Sequence, residues 1–488
     1  MGTTNKLSET NERQYWLVSL CYGIFAGWTL SFTYQGPIFF ALANSLHFDG
    51  TLYNQLSVFF VSAGMFTAAF AIRNWRTARN VMRIGTCTSV FIIILMPLLP
   101  IRFLLPLFLA LAFFSGVFAP AWGHFFFYNI KKENRGKAVA DVLIIGNIVL
   151  SLSALCAVYF NIAISMGYLM LLLIATYFIS SRLTVTGDDA LKTTNANKSR
   201  DILLAAVAFL IFIFLISFTA GIMFSVVFPS FVSFTLMTTL YPNLPYTLPL
   251  LVLRFMPQNR NRNFTLYMGM SILGFAYILF AFLGSGPLKF FLVMTPMMIA
   301  YGIFDYFWWR MMGDFSSYGP TPGFTVGISL SVNVIGVFFG SAVSHRLLTL
   351  YKMPLSNMSF IALAFISIVI GLLPLLNRNM GKIFADHVFF LTMTAPPATA
   401  PRSDDWPNEK ASQLLTAREM ELVTMVLAGH SYRTIAEMLY ISENTVKTHA
   451  KNIYKKLEIN SKYELMRYFT PNPTETNAPA SNKPTDSK

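Results

Sequence analysis

Long apolar runs separated by short polar connections fill the first three quarters of the chain. A helix needs roughly 20 apolar residues to cross the hydrocarbon core of a bilayer. About twelve such spans are predicted between Tyr15 and Leu376. Their cores are Tyr15–Ala41, Leu52–Ile72, Ile84–Leu99, Phe103–Phe127, Ala138–Phe160, Ile162–Ser180, Ile202–Phe228, Leu244–Met256, Phe264–Leu283, Leu288–Trp309, Phe324–Ser344 and Met358–Leu376. The eighth is the weakest, being broken by Pro245 and Pro249 and flanked by Pro242 and Pro257. Past Leu376 the pattern changes. Asn377–Lys382 is a polar stop, and Ile383–Met393 has the composition of a short helix lying on a membrane surface. Thr394–Lys410 is Pro-rich and reads as a semi-rigid spacer. Short amphipathic periods begin at Leu414, and beyond Thr470 the Pro, Thr, Asn and Ser content predicts disorder. The predicted organisation is a polar N-terminus (1–14), a membrane bundle (15–376), a linker (377–412), a compact helical domain (413–469) and a tail (470–488). The fold class is all-α.

Composition supports the membrane reading. The chain has 488 residues, of which 55% are hydrophobic and 12% charged, whereas soluble chains carry about 25% charged residues. The net charge of +14 matters through its placement, because Lys and Arg gather in cytoplasmic loops. Every second connection is basic: Arg73, Arg76, Arg79 and Arg83; Lys131, Lys132, Arg135 and Lys137; Arg182, Lys192, Lys198 and Arg200; Arg260 and Arg262; Arg310. The alternate connections hold little, which puts both termini in the cytoplasm of a cell with the chain in its cytoplasmic membrane. The first apolar run is too long for a signal peptide and lacks a small-residue cleavage site, so it is expected to be retained. Cys21, Cys87 and Cys156 sit in separate apolar runs, a spacing that suits neither a disulfide framework nor zinc. No phosphate loop or metal-ligand spacing is present, so neither an enzyme nor a cofactor is expected.

The polar break at Leu183–Arg200 divides the spans six plus six. Two echoes cross it. Gly123-His124-Phe125-Phe126-Phe127-Tyr128 parallels Phe304-Asp305-Tyr306-Phe307-Trp308-Trp309, and Gly136 to Val139 with Asn147 parallels Gly323 to Val326 with Asn333. With the span count and the basic connections, this architecture resembles the major facilitator superfamily. The resemblance implies two parallel six-helix halves around a cavity lined by the first, fourth, seventh and tenth spans. The Arg73–Arg83 loop lacks the Asp and the Gly spacing of that family's signature, and Gln258–Asn263 departs as well. Ionisable groups inside spans are costly and mark function by default. His124, Asp141, Arg254 and Asp305 are the ones here. The resemblance aims His124 and Asp305 inward, as a pair for a cation, a proton or a polar ligand head. The competing reading pairs these groups with neighbours near the cytoplasmic ends, Asp305 with Arg310 for instance. Candidate ligand or gating residues are His124, Asp305, Asn147 and Asn333. The aromatic groups at Trp122 and Phe125–Tyr128, and at Tyr306–Trp309, suit either an apolar ligand or an interfacial belt.

The C-terminal domain has the clearest local chemistry. Thr416-Ala-Arg-Glu419 is a capping box opening a first helix, whose Leu422, Val423, Val426 and Leu427 face inward. Gly429 is placed to end it. A second helix is predicted over about Tyr432–Leu439, a turn at Tyr440–Ser442, and a third helix from a Ser442 cap to about Leu457. Ser461-Lys-Tyr-Glu464 is a second capping box, opening a fourth helix to Phe469. In the third helix Val446, Ala450, Ile453 and Leu457 make a core stripe, while Lys447, Lys451 and Lys455 recur on another face beside Thr448. That is what a recognition helix needs in the major groove.

Leu415-Thr-x-Arg418-Glu419, Gly429-x-Ser431, Ile435-Ala436, Leu439-x-Ile441-Ser442-x-x-Thr445-Val446-Lys447-x-His449 and Asn452-Ile453-x-x-Lys456-Leu457 resemble the bacterial LuxR/GerE-type helix-turn-helix. The resemblance covers Leu414–Phe469. It implies base contacts from Lys447, Thr448 and Lys451, and phosphate contacts from Ser442, Thr445, Lys455 and Lys462. It also implies a homodimer on double-stranded DNA. Lys462 stands where Arg is usual, which loses bidentate geometry. Arg433-Thr434 also departs from the usual residues. The expectation is a membrane-embedded one-component transcriptional regulator whose bundle senses a small-molecule ligand or the state of the lipid bilayer, with RNA polymerase as a possible partner. The alternatives are a transporter with a fused regulatory domain and a regulator released by proteolysis in the linker.

Overall fold

The computed structural model describes residues 2–34, 36–48, 50–185, 200–256, 262–284, 286–316, 319–383, 414–427, 432–439, 443–459, 464–465 and 468. Most of the linker, the tail, Gly429, the Tyr440–Ser442 turn and Lys462 lie outside the described residues. The chain divides into two compact units, Met1–Thr394 and Ala395–Lys488. Both are helical, and no strand occurs among the described residues.

The first unit is a polytopic membrane bundle. Its helices are α1 (Gly2–Phe32), α2 (Thr51–Ala71), α3 (Trp75–Leu95), α4 (Leu104–Asn129), α5 (Arg135–Tyr159), α6 (Ile162–Ser181), α7 (Arg200–Ile222), α8 (Asn243–Phe255), α9 (Arg262–Phe282), α10 (Pro287–Phe315), α11 (Pro322–Thr349) and α12 (Leu355–Ile383). A short helix, Pro37–Ser45, follows α1, and another, Thr235–Leu240, precedes α8. Eleven helices among the described residues are long and apolar enough to cross a membrane. The predicted eighth span is α8, which has only 13 residues with Pro249 inside it. Its Pro-rich sequence limits the helix, since each internal proline removes a backbone donor. Elsewhere helix outruns apolar sequence. α1 starts within the polar N-terminus and α12 runs through the polar stop to Ile383, because helix hydrogen bonds are local and do not require an apolar surface.

The helix pairing reveals an internal repeat. Within the first six helices the neighbours are α1·α5, α2·α4, α3·α4, α3·α6 and α1·α6. Adding six to each number gives α7·α11, α8·α10, α9·α10, α9·α12 and α7·α12, which are also neighbours. The halves meet through α2·α11 and α5·α8, two pairs that the same operation exchanges. The bundle is therefore two six-helix halves related by a pseudo-two-fold.

Lipid is as apolar as a leucine side chain, so helices in a bilayer need close packing or polar ties to stay together. Glycine supplies the close packing. A Cβ on Gly116 of α4 would fall 2.0 Å from the carbonyl oxygen of Val61 in α2, and one on Gly64 would fall 2.1 Å from that of Phe113. In the second half, a Cβ on Gly302 of α10 would meet the Tyr246 carbonyl of α8 at 2.4 Å. The α7·α11 crossing is equally tight, with Gly340 at 2.1 Å from the Phe218 oxygen and Gly221 at 2.3 Å from that of Val337. Polar ties join the halves. Ser62 and Ser331 place their hydroxyl oxygens 3.0 Å apart across α2·α11. Asn243 of α8 donates to the Ser151 hydroxyl of α5 at 3.0 Å.

The second unit contains α13 (Ala417–Leu427), α14 (Tyr432–Met438) and α15 (Glu443–Lys456). Its core is separate from that of the bundle and includes Leu422, Val423, Val426, Ile435, Val446, Ala450, Ile453 and Leu465.

Gly116→Ala and Gly340→Ala should each destabilise the bundle by about 1–3 kcal/mol, since neither facing carbonyl can move aside. Gly371→Ala, where nothing lies within 4 Å of the new Cβ, should leave the melting midpoint of the detergent-solubilised protein unchanged. Equal midpoints for all three variants would contradict the packing role.

Candidate functional sites

In the second unit the capping box closes reciprocally. The Thr416 amide donates to Glu419 Oε2 at 2.9 Å, and the Glu419 amide donates to Thr416 Oγ1 at 3.3 Å. The same carboxylate oxygen accepts from Lys456 Nζ at 2.7 Å. Lys456, at the end of α15, is thus tied back to the start of α13. Arg418 donates to the Leu439 carbonyl at 3.4 Å, beside the end of α14. The Tyr432 and Tyr454 hydroxyls lie 2.5 Å apart and join α14 to α15. These ties hold α15 at a set angle to α14. Neither the Lys456 nor the Arg418 tie is visible as periodicity, because each links residues far apart in sequence. Burial pushes the Glu419 carboxyl upward, but Lys456 and the two Thr416 donors outweigh it and hold it below the usual range.

α15 separates its two faces as its periodicity predicts. Val446, Ala450, Ile453 and Leu457 are buried. Thr445, Lys447, Thr448, Lys451 and Lys455 are exposed, so one surface of the helix carries three lysines at intervals of one turn. His449 is half-buried. Ser442 and Lys462 lie outside the described residues.

In the first unit the helices line an open cavity of about 810 Å³. Its lining is largely apolar and aromatic, including Tyr22, Phe25, Val61, Met65, Phe224, Tyr301, Trp308, Trp309, Leu330 and Val334. Three of the four candidate residues reach it: Asp305, Asn147 and Asn333. Asp305 accepts from the Tyr246 hydroxyl at 2.6 Å and from Trp308 Nε1 at 2.9 Å. Asn333 donates to Ser217 Oγ at 2.7 Å, and Asn147 donates to its own helix at the Leu143 carbonyl, 2.8 Å away.

His124 is not among the lining residues, so the expected Asp–His pairing is not formed there. It is buried in α4 with its ring 4.9 Å from that of Tyr128. Large rings close off this part of α4. Phe118 stacks on Phe25 at 3.7 Å, and Trp122 stacks on Tyr22 at 4.4 Å and donates its indole N–H to the Val18 carbonyl. The matching part of α10 instead leaves Tyr301, Asp305, Trp308 and Trp309 on the cavity wall. The alternative expectation of Asp305 tied to Arg310 also gives way: among the described residues the partners of its two oxygens are Tyr246 and Trp308.

Arg254 of α8 pairs with Asp141 of α5, whose other oxygen accepts from the Tyr15 hydroxyl at 2.7 Å. That ion pair bridges the halves and is separated by 113 residues in sequence. Arg135, which by sequence is one more loop cation, is buried. It donates to the Gly313 carbonyl of α10 at 3.2 Å and covers the Phe127 ring at 4.1 Å.

Comparison with known proteins divides along the same boundary. Residues 413–469 match the family described as bacterial regulatory proteins, luxR family, and this segment is a LuxR-type helix-turn-helix DNA-binding domain. Oxygen regulatory protein NreC of Staphylococcus haemolyticus is 30% identical over 88 residues, which are 18% of this chain and 41% of that protein. The CsgBAC operon transcriptional regulatory protein of Escherichia coli is 40% identical over 65 residues, 13% of this chain and 30% of the other. Transcriptional regulatory protein DegU of Brevibacillus brevis is 45% identical over 53 residues, 11% and 22% respectively. The chain thus spans less than half the length of these relatives. The crystal structure of the human organic anion transporter MFSD10 (TETRAN) aligns with a TM-score of 0.55 at 12% identity, covering 74% of this chain and 99% of that one. The membrane unit therefore has a major facilitator-like fold. The protein is a multi-pass membrane protein that carries a transcription-regulating DNA-binding domain.

Glu419→Gln should destabilise the isolated 395–488 segment by about 1–2 kcal/mol at neutral pH. The carboxyl is lowered in the fold, so its contribution is complete above about pH 4.3, the ordinary glutamate value. It is lost as pH falls through the lowered folded value. Urea unfolding between acid and neutral pH should show this loss in the native sequence and not in the Gln variant.

Proposed function

We propose that the protein is a membrane-embedded, one-component transcriptional regulator, in which the helix bundle senses a ligand and the C-terminal domain binds DNA in a sequence-specific way. One observation carries this reading. The same chain holds an exposed basic stripe on a helix-turn-helix and a membrane bundle with a ligand-sized cavity. Lys447, Thr448 and Lys451 read base edges in the major groove. Thr445 and Lys455, with Ser442 and Lys462, hold phosphates. The domain acts as a homodimer on two-fold sites. For DNA to be reached, both termini lie in the cytoplasm, an orientation supported by the basic connections. The ligand acts by binding two states of the bundle with different affinity, and the favoured state changes how readily two domains meet on DNA. Linker 377–412 serves as the spacer between the units.

A transporter role has less support. The fold it would rest on is shared at 12% identity, and the Arg73–Arg83 loop lacks the transporter signature.

Once the operator has been mapped by recovering bound DNA from cells, Lys447→Ala and Lys451→Ala should each cost about 1–3 kcal/mol of specific binding. Lys455→Ala should weaken binding to all sequences and lower the salt slope by about one. Unchanged operator affinity in a gel shift for the first two would remove the base-reading assignment. A fluorescent protein fused after Lys488 should fluoresce, while alkaline phosphatase fused there should be inactive; the reverse would overturn the orientation.

A further inference from the structure

We infer that the cavity of the bundle takes a monovalent organic cation, an ammonium group joined to an apolar or aromatic body, with Asp305 as its counter-ion; this rests on the sensing role proposed above. The charge of the lining is the first ground. Among the described lining residues Asp305 is the one carboxylate, and none is Lys, Arg or His. An anion entering this space would meet no basic partner.

The second ground is the contrast between two aspartates of the bundle. Asp141 is neutralised by Arg254 and accepts a further hydrogen bond from Tyr15. Among the described residues Asp305 has only neutral donors: the Tyr246 hydroxyl at 2.6 Å on one oxygen and Trp308 Nε1 at 2.9 Å on the other. Those bonds aim the carboxyl group and supply no positive charge. An ionised carboxylate in an apolar wall is costly unless paired, and a ligand cation supplies the missing partner.

The third ground is what surrounds it. Tyr22, Tyr246, Tyr301, Trp308 and Trp309 line the same cavity. The faces of Trp and Tyr attract ammonium groups, more strongly once water is excluded. The lining also includes the apolar side chains of Val61, Met65 and Leu330. A cavity of about 810 Å³ falls within the usual range for organic ligands and far exceeds what a proton or bare metal ion needs. The ligand thus has a charged head for Asp305 and an apolar body for the remaining wall.

The test uses the full-length protein in lipid nanodiscs and three probes of similar shape: benzyltrimethylammonium, its neutral isostere neopentylbenzene, and phenylacetate. Intrinsic tryptophan fluorescence follows binding. Benzyltrimethylammonium should saturate the protein and bind at least roughly tenfold more tightly than either other probe. Asp305→Asn should lower its affinity by about tenfold or more and leave neopentylbenzene unaffected. Asp305→Glu, which keeps the charge, should retain cation binding, and this separates loss of charge from loss of fold. The inference is overturned by equal affinity for the three probes, by no saturable binding of the cation, or by an Asn variant that binds it as well as the native protein. Gel shifts on the same nanodiscs separate the two levels of the argument. Asp305-dependent cation binding that leaves operator affinity unchanged overturns the sensing role and keeps the ligand class. Operator affinity that responds to phenylacetate and not to the cation overturns the ligand class and keeps the sensing role.

Discussion

Helices in a bilayer gain nothing by hiding apolar side chains from one another, because the lipid is just as apolar. Something else must hold this bundle, and backbone-to-backbone contact at glycine does much of it. Gly64 and Gly116 bring α2 against α4, and Gly221 and Gly340 bring α7 against α11. Other ties include the hydroxyl pair Ser62 with Ser331 and the part-buried ion pair Asp141 with Arg254. These contacts fix how closely each half packs. The bundle keeps a core cluster drawn from both halves and a cavity lined by both.

That cavity is not symmetric, although the bundle is. The pseudo-two-fold matches α4 with α10, yet the two helices face the centre differently. Phe118 and Trp122 fill the α4 side by stacking on Phe25 and Tyr22 of α1. The α10 side stays open and presents Asp305 with Trp308 and Trp309. A repeat sets where the helices run, and ring packing makes the α4 and α10 walls of the shared cavity differ. The outcome is a single carboxylate on an aromatic wall. Among the described residues its partners are the neutral donors Tyr246 and Trp308, and an intramembrane carboxylate of this kind is uncommon.

The DNA-binding unit follows other rules, since water rewards burial of its apolar stripe. A small domain of this size has little core to spare, so capping and cross-helix ties carry weight. Glu419 serves three purposes with one carboxylate. It caps α13, accepts from the Thr416 amide and hydroxyl, and anchors Lys456 of α15. The lysines of the recognition face are thereby distinguished from Lys456, which is exposed on the same helix but tied to the start of α13.

Local sequence was enough for the features that depend on local physics. The apolar runs define the spans because the thickness of a bilayer sets a helix length. The Thr416–Glu419 box and the Val446, Ala450, Ile453, Leu457 stripe depend on spacing within one helix, and both stand in the fold. Asp305 was marked as costly from its position in an apolar run alone. Tertiary structure decided everything that depends on partners distant in sequence. It joined Asp141 to Arg254, buried Arg135 against Gly313, kept His124 away from the cavity and tied Asp305 to Tyr246. Periodicity says which side of a helix is apolar, but not which neighbour that side meets. In a bundle that is apolar on nearly every side, the partner is what determines the chemistry.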